Sequence, residues 1–272
     1  MALHPPLVDI GLNLAHDSFD HDRDHVVAAA RSAGVNHMVV TGSTLESTRA
    51  AIELVRTDPQ LYRCTAGVHP HHAGELHEEH LPQLRELLAA PEVGAAGECG
   101  LDYFRNFSSH DDQERVFRWQ LELAIEAGKP VFLHQRDGHD AFMAILRDYR
   151  PRLAGGVAHC FTGVERELRD YLDLGLSIGI TGWICDERRG QHLRELVRLV
   201  PLDRLMAETD APYLLPRDLS PKPSHRRNEP KYLPHVVKTI AACRGEPYEV
   251  VAAATTRNAL EFFGFAAPAV SG

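Results

Sequence analysis

The chain has 272 residues, a formal net charge of −9 with histidines neutral, 44% apolar residues and 25% charged residues. That length suits one α/β barrel and that balance an ordinary globular protein, which excludes a largely disordered chain and a protein that coats nucleic acid through a global basic field. No apolar run is long enough to cross a bilayer, the opening residues MALHPPLVDIGLNLAHD hold no basic stretch followed by a long apolar run, and five cysteines lie scattered without C-x-x-C spacing; the expectation is a cytoplasmic protein with reduced thiols, no disulfide framework and no membrane partner.

Short apolar or β-branched runs alternate with stretches of helical periodicity along the whole chain. A strand over 7–13 precedes a helix over 24–33, and strands over 37–42 and 62–69 precede helices over 45–57 and 81–90. The pattern continues with strands 93–98, 130–134, 156–159 and 176–181, each followed by a helix, at 112–127, 140–149, 165–174 and 188–200. An eighth strand over 205–210 leads into a Pro- and Arg-rich loop over 215–230 and two last helices, 233–243 and 248–263. Repeated strand-then-helix units build parallel sheets, and eight of them close a (β/α)8 TIM barrel, here expected as one domain over 1–272. No G-x-G-x-x-G follows the first strand, which removes the support for a dinucleotide-binding open sheet.

The predicted strands end in Asn13, Gly42, His69, Glu98, His134, His159, Thr181 and Asp210. In a closed barrel these ends share one face, so Glu98, His134, His159 and Asp210 converge in a single mouth as a metal-site constellation. Taken singly, each histidine reads as well as a satisfied core residue, but their matching positions on neighbouring strands favour ligands. Glu98 ends an apolar run where an unpaired carboxylate would be costly, and a cation is the simplest partner. Asp210 reads as a ligand or general base, and Glu208, two residues before it, as its support or as a layer residue of the barrel. His69 and His71 read either as phosphate contacts or as a wet loop. His4, His16, His21, His77 and His80 read as exposed side chains, and Cys99 and Cys160 as small packed hydrophobes.

The motifs GVHPHH, GECGLDYFRN, FLHQRD, HCFTG, ITGW, ETDAPYLLPRD and RRNEP, running from Asp9 to about Phe263, resemble the TatD family of metal-dependent deoxyribonucleases. The resemblance implies that Glu98, His134 and His159 hold a divalent cation, with Asp210 a ligand or base beside them. Most of the family opens with H-x-H at the end of the first strand, whereas this chain has Gly11 and Asn13 in those places. The DIGxN variant resembles the branch that acts as a 3′-to-5′ exonuclease on single-stranded DNA and RNA and is linked with DNA repair. A set of two nitrogens and two carboxylates tilts from Zn²⁺ toward Mg²⁺ or Mn²⁺. The expected chemistry is a cation-activated water attacking phosphorus, oriented or deprotonated by Asp210, with Glu98 in the catalytic set.

On an acidic protein the substrate grip must be local. Asn13, His69, His71 and Arg136 lie at strand ends, and Arg226 and Arg227 lie with Arg217, Lys222 and Lys231 in the loop after the eighth strand; all are candidates, against the plainer reading of that loop as a solvated surface. Tyr103, Phe104, Phe107 and Trp183 could stack on unpaired bases or simply cap the core. Single-stranded DNA or RNA is the expected partner and a monomer the expected state. The rival readings are a small-molecule amidohydrolase or lactonase on the same barrel, and a non-catalytic quality-control protein that kept the fold.

Overall fold

In a computed structural model, which describes residues 5–265, eight parallel strands follow one another round a single sheet in chain order. They are β1 (Leu7–Leu12), β2 (Val35–Val40), β3 (Tyr62–Ala66), β4 (Val93–Asp102), β5 (Val131–Arg136), β6 (Gly156–Ala158), β7 (Ser177–Ile180) and β8 (Leu205–Ala207). Closure occurs just beyond β8, where Ala211 pairs with Leu12, the Asp210 N–H donates to the Gly11 carbonyl at 2.8 Å, and the Asn13 N–H donates to the Ala211 carbonyl at 2.7 Å. The result is the expected TIM barrel. His4 lies outside the described residues.

The helices that cover it are α1 (Arg23–Ser32), α2 (Leu45–Thr57), α3 (Leu81–Ala89), α4 (His110–Ala127), α5 (His139–Tyr149), α6 (Glu165–Asp173), α7 (Gln191–Leu196), α8 (Leu233–Arg244) and α9 (Tyr248–Phe263). Their ends follow local chemistry. Thr44 and Ser47 cap α2 reciprocally, Ser109 caps α4 by accepting the Asp112 N–H, and Gly128 ends α4 at a left-handed φ of 64° that a side chain would resist. Among the described residues no helix is long and apolar enough to cross a membrane.

The core has two parts. The larger lies between strands and helices; the smaller fills the barrel with Val8, Ile10, Val39, Ala95, Phe132, Val157 and Met206, against Phe263 of α9. Phe132 stacks on the His159 ring at a centroid distance of 4.5 Å, so the apolar plug ends where the polar mouth begins.

Several element boundaries differ from the sequence reading, β8 among them, which ends at Ala207 instead of position 210, and three of the differences have a local cause. β4 continues four residues beyond Glu98, pairing Gly100 with His134 and Asp102 with Arg136, because Gly97 and Gly100 hold positive φ angles inside an extended run that reads as a loop. β3 stops at Ala66, and the chain turns at Pro70 with the His69 N–H donating to the Ser43 carbonyl. The helix expected over 188–200 shrinks to α7, because Asp186 Oδ1 accepts the Arg188 and Arg189 N–H groups and holds that stretch in a turn.

Candidate active site

Three imidazoles surround one carboxylate oxygen at the open end of the barrel. Glu98 comes from β4, His134 from β5, His159 from just past β6 and His69 from the turn after β3. Glu98 Oε1 lies 2.8 Å from His134 Nδ1, 3.0 Å from His159 Nε2 and 3.4 Å from His69 Nε2. Burial alone would push the Glu98 carboxyl up, but the imidazoles of His69 and His159 and the hydrogen bonds from His134 and His159 outweigh it and hold the group well below its ordinary range. His69 Nδ1 accepts the His71 N–H, which leaves the ring proton on Nε2, facing Glu98. Burial drives the His69 pKa down to about 4, so this imidazole is neutral at physiological pH.

A second carboxylate supports the cluster from β8. Glu208, fully buried, accepts from His159 Nδ1 at 2.9 Å and from the Cys160 N–H at 2.5 Å. Burial works against charge on His159, but Glu208 and Glu98 on its two sides raise it well above its ordinary value. This arrangement accounts for the glycine at position 11. A Cβ at Gly11 would stand 2.5 Å from Glu208 Oε2 and 3.5 Å from His159 Nδ1, and a Cβ at Gly179 would stand 2.5 Å from Glu208 Oε1. The space that a histidine at position 11 would need is filled by the carboxylate that orients His159.

Asp210 faces this cluster from the other side. Its backbone sits at φ 57°, a conformation that aspartate tolerates better than most residues. The preceding Thr209 is fixed by the buried Asp9, which accepts the Thr209 N–H at 2.9 Å and its hydroxyl at 2.5 Å. Among the described residues nothing hydrogen-bonds the Asp210 carboxylate. Burial raises its pKa to about 7, with His159 opposing the rise and Glu98 and Glu208 adding to it.

Asp102 escaped the sequence reading. It is buried at the end of β4, 2.7 Å from His71 Nε2 and 3.5 Å from His134 Nε2, and its other oxygen accepts the Phe104 and Arg105 N–H groups. Burial opposes its ionisation, yet the His134 and His71 imidazoles hold it far below the usual carboxylate range. The available signal is period two: Glu98, Gly100 and Asp102 alternate along one strand once the glycines are read as extended. His71, expected at the substrate, is held by Asp102, and His69 is drawn into the Glu98 cluster.

These residues suit a divalent cation. One donor atom each from His69, Glu98 and His134 lies within 4.8 Å of the others, and His134 Nε2 is buried with no hydrogen-bond partner. An imidazole nitrogen buried without a hydrogen-bond partner is unfavourable in a protein interior, and an ion taking mixed nitrogen and oxygen ligands suits this donor set.

The rim differs from expectation in one arginine. Arg227 donates to both oxygens of Asp22 at 2.9 and 2.6 Å, to Glu229 at 3.1 Å and to the Ser18 carbonyl at 2.6 Å, so it is a strut between the loop after β8 and the start of α1, not a free phosphate contact. Lys231 pairs with Glu229 at 2.6 Å, and Arg217 lies near Asp186 and Glu187. Arg226 and Lys222 are exposed, with no carboxylate at ion-pair distance among the described residues. The Arg136 guanidinium likewise meets no carboxylate there and lies over the Phe104 ring at 3.8 Å. Phe104 and Phe107 are 53% and 68% exposed, Phe107 against His71, whereas Tyr103 is committed to Glu114 and stacked on His110. Asn13 turns its amide toward the Ala211 carbonyl at 3.4 Å.

The sequence profile described as TatD related DNase matches residues 8–264. A protein of Pantoea sp. (strain At-9b) named 3′-5′ ssDNA/RNA exonuclease TatD is 52% identical over 260 residues, covering 96% of this chain and 100% of that protein. A protein of the same name from Erwinia amylovora is 52% identical over 258 residues, covering 95% of this chain and 100% of its own. Among solved structures, a TatD family hydrolase from Entamoeba histolytica superposes with a TM-score of 0.87 at 26% identity, covering 97% of this chain and 100% of that one. The TatD homologue YJJV of Escherichia coli superposes with a TM-score of 0.86 at 27% identity, over 95% of this chain and 98% of that one.

Proposed function

Because the chain belongs to the TatD-related DNase family and is a nuclease of that family, we propose that it removes nucleotides one at a time from the 3′ ends of single-stranded DNA and RNA, using Mg²⁺ before Mn²⁺ or Zn²⁺. The observation that carries the reading is the juxtaposition of Glu98, ringed by three imidazoles, with an Asp210 carboxylate left without a hydrogen-bond donor. Glu98, His134 and His159, joined by His69, are the residues that would hold the cation, and bound there it would supply Lewis acidity toward the phosphate oxygens.

The chain's own residues do the rest. Asp210, without a hydrogen-bond donor among the described residues and raised to about 7 by burial, orients the attacking water and accepts its proton. Glu208 fixes the His159 ring, and Asp102 fixes His134 and His71, so the donors need little reorganisation when charge develops on the phosphate. Arg136 offers an uncommitted guanidinium to a backbone phosphate, while Phe104 and Phe107 offer exposed faces on which unpaired bases stack. Exposed Arg226 and Asn13, just past the end of β1, are the further substrate contacts of this reading. A single catalytic domain, a monomeric state, a cytoplasmic location and a role in DNA repair complete the reading.

A time course on 5′-labelled and 3′-labelled single-stranded oligonucleotides, repeated with Mg²⁺, Mn²⁺ and Zn²⁺, tests it. The expected result is a descending ladder from the 5′ label and immediate mononucleotide release from the 3′ label. Internal fragments appearing first would overturn the polarity. Turnover of cyclic amides without any nucleotide release would overturn the substrate class in favour of the amidohydrolase reading.

A further inference from the structure

A second cluster of ligand-type side chains lies outside the mouth, where the loops after β7 and β8 meet α8. Cys185 ends the short 3-10 turn Gly182–Cys185, Asp218 lies in the loop that follows β8, and His235 sits in the first turn of α8. One donor atom from each lies within 4.8 Å of the other two, and His235 Nε2 is 2.6 Å from Asp218 Oδ1. We propose that Cys185, Asp218 and His235 form a second metal site, selective for Zn²⁺ and distinct from the one at Glu98.

The donor chemistry argues for zinc. A thiolate, an imidazole and a carboxylate make three protein ligands of the softness that Zn²⁺ takes and Mg²⁺ does not, whereas the mouth offers only imidazoles and carboxylates. Exposure leaves room for a fourth ligand. Cys185 is fully buried, while the Asp218 and His235 side chains are 38% and 29% exposed, so the thiol approaches from the core side and a fourth, solvent ligand has access from outside. Thr239 stands behind the sulfur at 3.5 Å, with its hydroxyl donating to the His235 carbonyl, and so ties the Cys185 side to the turn of α8 that carries His235. On binding, the sulfur–metal bond replaces the S–H bond, and the proton leaves to solvent.

The three ligands come from three separate elements, and the site would therefore pin the loop that begins at Asp210 to the loop after β7 and to α8. The adjacent residues form a weaker bridge of the same sense, since Arg217 Nε lies 3.5 Å from Asp186 Oδ2.

The full chain, stripped with chelator and titrated with Co²⁺, tests this, because only a thiolate ligand gives a sulfur-to-cobalt charge-transfer band in the near ultraviolet. Glu98→Ala should show the band complete by one equivalent and wild type and Cys160→Ser by two, and Cys185→Ser and His235→Gln should lose it. Added Zn²⁺ should raise the Tm of Glu98→Ala, in which the mouth site is broken, but not of the double variant Glu98→Ala with Cys185→Ser. If Cys185→Ser does not fold, His235→Gln, altered at a partly exposed position, carries the comparison. No band in wild type, or a band that survives both Cys185→Ser and His235→Gln, overturns the site. Neither outcome bears on nucleotide release.

Discussion

The two sides of the barrel mouth use charge in opposite ways. On the β4 and β5 side the carboxylates are saturated: Glu98 meets three imidazoles, and Asp102 meets two imidazoles and two backbone N–H groups, while the cation there, Arg136, has only an aromatic face. On the β8 side Glu208 is held by His159 and the Cys160 N–H, but Asp210 lacks a donor among the described residues and the arginine is saturated, with Arg227 gripped by Asp22, Glu229 and a backbone carbonyl. Partnered groups hold the mouth in shape, and unpartnered ones are left to act on something else. Charge in a sequence does not distinguish the two.

Glu98→Ala should break the contrast most severely. It removes the oxygen on which three imidazoles converge, and kcat/KM on single-stranded DNA should fall by about 10³-fold or more with the circular dichroism spectrum preserved. Retained activity would favour the quality-control reading. Asp210→Asn should come next, keeping the shape but losing the proton acceptor, with kcat down by about 10²–10⁴-fold and KM little changed. The sign of its pH dependence is fixed. With the carboxyl raised to about 7, its ionised form grows as pH rises, so the wild-type rate should climb with pH and level off. A bound cation adds positive charge beside it and lowers the inflection, which should lie at or below 7 and vanish in Asp210→Asn; an inflection well above 7 would remove Asp210 as the base.

Smaller effects should separate the two arginines. Arg136→Ala should raise KM by about 3–10-fold with Tm unchanged, because an uncommitted guanidinium contributes to binding alone. Arg227→Ala should do the reverse, lowering Tm by a few degrees while leaving KM within about 2-fold, since it leaves the buried Glu229 short of a partner. A KM effect of Arg227→Ala equal to that of Arg136→Ala would erase the distinction between the two rims.

The barrel was legible because strand and helix periods are local. Apolar runs of strand length alternate with stretches of period 3.6, and the number of strands and the common face of their ends follow from that alternation. Glu98, His134 and His159 could be singled out because polar residues closing apolar runs are costly without partners. Asp102 was missed because glycines at 97 and 100 suggest a turn, although they occupy positive φ within a strand that continues.

What the sequence determined by itself is therefore the architecture and which polar residues stand near the strand ends. Tertiary structure decided their partners: that His69 joins Glu98, that Glu208 stands where a histidine at position 11 would reach, and that Arg227 is spent on Asp22, 205 residues away in sequence. The physical reason is range. Periodicity and propensity act over a few residues, whereas the pairing that frees or neutralises a buried charge depends on groups the chain brings together only when the barrel closes.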